Sequence, residues 1–212
     1  MKKIRTLVAG AVGAAVIAGT AFSASPAQAS TPSILDIVAR SANDNGGGET
    51  DSNGRDFDIL LGVVQALGLT STVQGLQNAT VFAPADNSFR GLAADLLNVS
   101  PKSLTEQQVL DTLRELAKDP KIATALTTTV AYHVSDKENI TNLFRRTKPI
   151  NTFAGPRIQP IPLGIGAILV DRDFSDLDPF TVGQPISASN GTVYVIAGVL
   201  RPTDLKTVFP GD

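Results

Sequence analysis

A single histidine, His133, and no cysteine in 212 residues bound the chemistry this chain can do. A Ser-His-Asp apparatus would have to use that one imidazole, and no G-x-S-x-G turn presents a serine to it. Zinc would find one imidazole and no thiolate, so carboxylates would have to complete its shell, an uncommon arrangement. A structural role at a helix-to-strand junction, with one ring nitrogen hydrogen-bonded, is therefore the expectation for His133. No enzyme activity, cofactor or metal is expected.

A second cluster of reactive types is Asp171, Asp173, Asp176 and Asp178 in the run DRDFSDLD. Calcium ligands at positions 1, 3 and 5 would be Asp171, Asp173 and Ser175. Position 6 is then Asp176 in place of glycine and position 12 is Val182 in place of glutamate, so the EF-hand template fails. A solvated acidic turn between strands is the expectation. The sequons at Asn78, Asn98, Asn139 and Asn190 are assigned no function. Asn190-Gly191 reads instead as a tight turn, since both residues tolerate positive φ. The run Ile158 to Val170 is the most apolar outside the N-terminal leader. It reads as a buried strand pair around Gly164-Ile165-Gly166, its rival being an exposed apolar surface for a partner, lipid or pigment.

The elements that hold these residues follow from periodicity. Ser33 to Ala39 and Phe57 to Leu67 show helical apolar faces, the second opened by Arg55 or Asp56 and ended at Gly68. Thr80 to Ala83 is a strand that Pro84 stops, with Asp86 as N-cap of the helix beyond it. Thr105 to Gln108 introduces another helical face, and Ile122 to Val130 a further one that runs into Tyr132-His133-Val134. From Ile140 the pattern turns to short pieces split by Pro and Gly. The predicted strands are Ile150 to Phe153, Arg157 to Ile161, Ala167 to Val170, Thr181 to Ser187 and Thr192 to Val199. Helices first and strands last, without an internal repeat, argue a single α+β domain. Ser41 to Asn53, with three consecutive glycines, reads as a loop.

Residues 1–29 read as a cleaved signal peptide of bacterial style. Lys2, Lys3 and Arg5 precede the apolar run Leu7 to Phe22, and Ala27-Gln28-Ala29 supplies the small-x-small site. The domain is then 30–212. Three of the 18 basic residues lie in the leader, so the remainder is more acidic than the whole chain's −2. That balance argues against nucleic acid, and no stable membrane insertion is expected after cleavage.

Three segments bear on function together: Thr80-Val81-Phe82-Ala83-Pro84-Ala85-Asp86-Asn87-Ser88-Phe89, Tyr132-His133-Val134, and Asn190-Gly191-Thr192-Val193-Tyr194-Val195-Ile196-Ala197-Gly198-Val199-Leu200-Arg201-Pro202. In this order and at these separations they resemble the two signature boxes and the central Tyr-His motif of the fasciclin-like adhesion domain, over about residues 32 to 205. The resemblance implies a wedge of β-strands flanked by several α-helices, with the two boxes side by side in one core. It further implies a secreted or cell-wall-associated, non-catalytic module, a monomer, that binds a surface or matrix protein or glycan. A few relatives carry an apolar ligand such as a carotenoid or lipid, and that is the alternative. Tyr132 and His133 match a motif implicated in receptor adhesion and are binding candidates as well as framework candidates. Ile186 is a third candidate, matching an Asp-Ile motif in which Pro185 replaces the Asp. Tyr194 and Ala197 stand where the family usually has His and Asp.

Overall fold

The computed structural model describes residues 30–43, 50–135, 137–174 and 177–208. The expected signal peptide, residues 44–49 of the glycine-rich segment, and Ser175 and Asp176 of the acidic run lie outside the described residues.

Its centre is a parallel pair of strands brought from opposite ends of the sequence. β1 (Ala79–Pro84) lies against β7 (Gly191–Ala197) in continuous register, from Ala79 opposite Gly191 to Pro84 opposite Ile196. The two predicted boxes are therefore neighbours, as expected. β1 ends at Pro84, which still pairs with Ile196, so the strand runs one residue further than expected.

Both strands alternate between two cores. Val81, Ala83 and Val193 enter a core built with helices α1 (Ile34–Asn43), α2 (Asp58–Ala66), α4 (Asp86–Leu97), α5 (Glu106–Leu116) and α6 (Pro120–Tyr132); α3 (Thr70–Gln74) contributes Val73 at its edge. Phe82, Tyr194 and Ile196 enter the other core with Tyr132, Ile140, Leu143, Ile150, Ile158 and Leu169. Burial on both faces explains why these central strands read as continuous apolar runs.

The rest of the sheet is antiparallel. β5 (Phe180–Thr181) and β6 (Ile186–Ala188) share one side of β7, and β4 (Ala167–Val170), β3 (Arg157–Pro162) and β2 (Ile150–Asn151) follow outward from β5. The predicted strand Thr181 to Ser187 is thus split. Gly183 at φ +71° and Pro185, which has no N–H to give, interrupt it.

Local signals set several boundaries. Thr105 and Gln108 form a reciprocal capping box at the start of α5, and the Asp119 carboxylate caps α6 ahead of Pro120. Asn98 ends α4 in the left-handed region at φ 52°. Neither Arg55 nor Asp56 opens α2; its N-cap is Phe57, which makes no side-chain cap. The free N–H groups of Asp58 and Ile59 instead donate to the carboxylate of Asp86, at 3.2 and 3.0 Å. Asp86, expected to cap its own helix, is the first residue of α4 and caps a different one.

Candidate functional site

The sequence candidates Tyr132 and His133 sit where α6 meets the sheet. Here the chain runs alongside β1: Phe82 N–H donates to the His133 carbonyl at 2.9 Å and Ser135 N–H to the Thr80 carbonyl at 2.8 Å. Tyr132 is 0 % exposed, and its hydroxyl donates to the Arg157 carbonyl at 3.1 Å. His133 is 6 % exposed. Its Nε2 accepts from Leu200 N–H at 3.0 Å, which leaves the proton on Nδ1, 2.8 Å from the Thr129 carbonyl it donates to. Burial lowers the imidazole pKa to about 4, against a smaller raising effect of the Thr129 carbonyl. The ring is neutral and both nitrogens are occupied, so it ties α6 to the end of the second box. Both side chains are buried, which suits the framework role expected of them beside the binding one.

Ile186 lies on β6 opposite Val193 and is 37 % exposed. Tyr194 fills its family position as a buried strut. It stacks on Phe82 with ring centroids 6.0 Å apart, and its hydroxyl donates to the Ile140 carbonyl at 3.1 Å. Gly191 follows Asn190 at the entry to β7, and its φ is not positive. It is glycine for space, since a Cβ there would stand 2.0 Å from the Ala79 carbonyl oxygen. Asn190 works as an anchor, accepting from Ile34 N–H at 2.9 Å and donating to the Leu76 carbonyl at 3.0 Å.

The acidic run is a solvated turn only in part: Asp178 is exposed, as expected. Asp171 and Asp173 are buried, and the second box answers them. Arg201 N–H donates to Asp171 at 2.7 Å, while the Arg201 guanidinium, itself buried, lies 3.1 Å from Asp173 and 3.0 Å from Asp95. Burial still raises the Asp171 pKa to about 6, opposed by the N–H groups of Arg201 and Asp173. The sequence reading missed this pairing because Arg201 and the run are about thirty residues apart.

The apolar run Ile158 to Val170 divides. Ile158 and Leu169 are buried in the sheet, but the hairpin tip is open, with Ile165 85 % exposed and Leu163 and Ile161 also exposed. On the acidic loop, Phe174 is 89 % and Leu177 88 % exposed. Leu163, Leu177 and Phe180 line a cleft of about 690 Å³ that reaches Gly91 on α4 and Ala197 at the end of β7. An apolar cavity of about 60 Å³ lies in the helix-side core, with His133 on its wall.

A second acidic cluster was not anticipated. Asp58, Asp86 and Glu106 are buried with carboxylate oxygens within 4.8 Å of one another, as are those of Asp51, Asp56 and Asp58. Burial raises the pKa of Asp58 to about 6, with help from Asp56 and Asp51, and raises Glu106 despite Arg90 at 2.8 Å. Asp86 is also raised, by burial first and then by a hydrogen bond with Asp56. The spacing Asp51, Asn53, Asp56, Asp58 was the available signal.

Among the described residues, no helix is long and apolar enough to cross a membrane. No curated protein matches the chain. A solved FAS1 domain pair from the insect cell adhesion molecule fasciclin I is similar in fold, with a TM-score of 0.55 at 13 % identity. The match covers 84 % of this chain and 53 % of that one, so the chain corresponds to about half its length. The fasciclin domain family model matches residues 55–202, which include both boxes and the Tyr-His segment. Domains of this kind commonly serve in adhesion or interaction, are generally non-catalytic, and are typically extracellular or at the surface. By that match, carried on a core in which the two boxes pair strand to strand, the chain belongs to the fasciclin domain family.

Proposed function

We propose that this chain is exported by residues 1–29 and acts as a non-catalytic interaction module, holding a protein or glycan at the cell surface or matrix. The observation that carries the reading is that three exposed apolar side chains, Leu163, Leu177 and Phe180, line one open cleft. Apolar side chains gathered in this way mark interaction surfaces more often than chance exposure. Tyr132 and His133 serve the cleft indirectly, by fixing the sheet that presents it. Ile186, exposed on β6, is the family-motif residue that remains available for contact.

The second reading, a carrier of an apolar ligand, is favoured by the cleft of about 690 Å³. That size falls within the ~300–1,000 Å³ of small-molecule sites, whereas the core cavity of about 60 Å³ does not.

Affinity capture from the native extracellular fraction, comparing the wild type with a Leu163→Ser/Leu177→Ser double variant, tests the proposal. Both side chains are exposed, so the variant is expected to keep its Tm while losing at least ten-fold in captured partner. Equal capture by the variant removes the cleft from the argument. A visible absorption spectrum on the natively purified protein, with no captured macromolecule, would transfer the function to the carrier reading.

A further inference from the structure

Three helices begin on a buried carboxylate at one place. Asp58 opens α2, Asp86 opens α4 and Glu106 opens α5. Each is more than nine-tenths buried. On two of these three side chains one oxygen, Asp58 Oδ1 and Glu106 Oε2, is shut off from solvent with no hydrogen-bond partner. Buried polar atoms in folded proteins nearly always have a partner, so two such oxygens in one cluster point to a missing electropositive group.

The charges point the same way. Asp56, Asp58, Asp86 and Glu106 are four buried carboxyls. Arg90 faces them through Glu106. The three helix starts add about half a positive charge each, leaving roughly 0.5 negative charge with one proton shared between Asp86 and Asp56, and roughly 1.5 once a cation displaces it. Asp51 adds another at the rim. The acidic run at Asp171 differs in this respect, since Arg201 already answers it.

We infer that Asp58, Asp86 and Glu106 form a binding site for one calcium ion, with Asp51 and Asp56 at its outer edge. The donors are all oxygens, which suits a hard cation. Ligands on opposite sides of a calcium ion, each at 2.3–2.6 Å, stand up to about 5 Å apart, so a 4.8 Å cluster can share one ion. Magnesium demands near-ideal octahedral geometry and keeps most of its water. Carboxyls fixed by three separate helices, and closed from solvent, suit calcium's irregular shell better. The loop before α2 is already laced to α4: Asn87 N–H donates to the Gly54 carbonyl at 2.9 Å and Asp86 N–H to the Asp56 carbonyl at 3.2 Å. The ion would tie this loop and the three helix starts together. This departs from the sequence expectation of no metal.

The test is thermal unfolding of the full chain in EDTA, in 10 mM CaCl2 and in 10 mM MgCl2, for the wild type, Asp58→Asn and Glu106→Gln. Each neutral isostere keeps the acceptor that Asp51 N–H or Arg90 uses, so both variants should fold. With a Kd of about 0.1–1 mM, as in extracellular calcium modules, calcium raises the wild-type Tm by roughly 3–10 °C. In EDTA the variants match or exceed the wild type, because a buried charge is gone; in calcium the order inverts. Equilibrium dialysis of the wild type against radioactive calcium should find one equivalent bound, independently of how the variants behave. A wild-type Tm that ignores calcium, a response to magnesium alone, or the same calcium response in both variants overturns the site.

Discussion

His133 spends both ring nitrogens on the backbone, and its burial makes its protonation a threat to the fold. The folded pKa, about 4, lies below the ordinary value of 6.5, so the unfolded chain binds the extra proton first as pH falls. The stabilisation from the neutral ring is therefore complete above about pH 6.5 and is lost between there and pH 4. Urea denaturation at pH 7 and pH 4.5 should show the wild type losing roughly 2–3 kcal/mol more over that interval than His133→Gln. Asp58 and Asp171, both raised to about 6, act with the opposite sign and are common to both proteins. An equal loss in the two proteins would mean that the imidazole titrates normally.

At the scale of elements, the contact between β1 and β7 is set by a missing atom. Gly191 lets the Ala79 carbonyl pass where any side chain would stand. Gly191→Ala is expected to cost about 2–3 kcal/mol by forcing the two strands apart, a Tm fall of roughly 5–10 °C by calorimetry. The existence of both strands was readable from their apolar runs and flanking turn residues. α5 was readable too, since Thr105 and Gln108 sit at capping-box spacing. What the sequence hid was supplied from a distance. The cap of α2 comes from Asp86, 28 residues beyond the N–H it receives. The burial of Asp171 and Asp173 depends on Arg201, and the exposure of Ile165 on the bend of a hairpin. Local patterns report what a residue can do with its neighbours in sequence, and each of these roles depends on a neighbour in space. The Asp58, Asp86 and Glu106 cluster was hidden for the same reason, because its members open three different helices.

For the whole molecule, the consequence of a central strand pair shared by two cores is cooperativity. Neither core can be disordered without stripping one face of β1 and β7. The chain offers a direct probe of this, since its only two tyrosines, Tyr132 and Tyr194, both lie in the strand-side core and there is no tryptophan. Tyrosine fluorescence therefore follows one core, while far-UV circular dichroism is dominated by the helices packed on the other. The two urea curves are expected to superimpose with one midpoint. Separated midpoints would show that the cores unfold independently.

The strand that β1 pairs with along its whole length begins at Gly191, so until then the first box has only the bridge to Val134 beside it. A growing polypeptide that has not yet delivered residues 191–197 lacks the keystone of its sheet, however many helices have emerged. Such late completion keeps the first box short of its main partner until the second box has been made. It also makes the fold intolerant of any early stop codon before the second box.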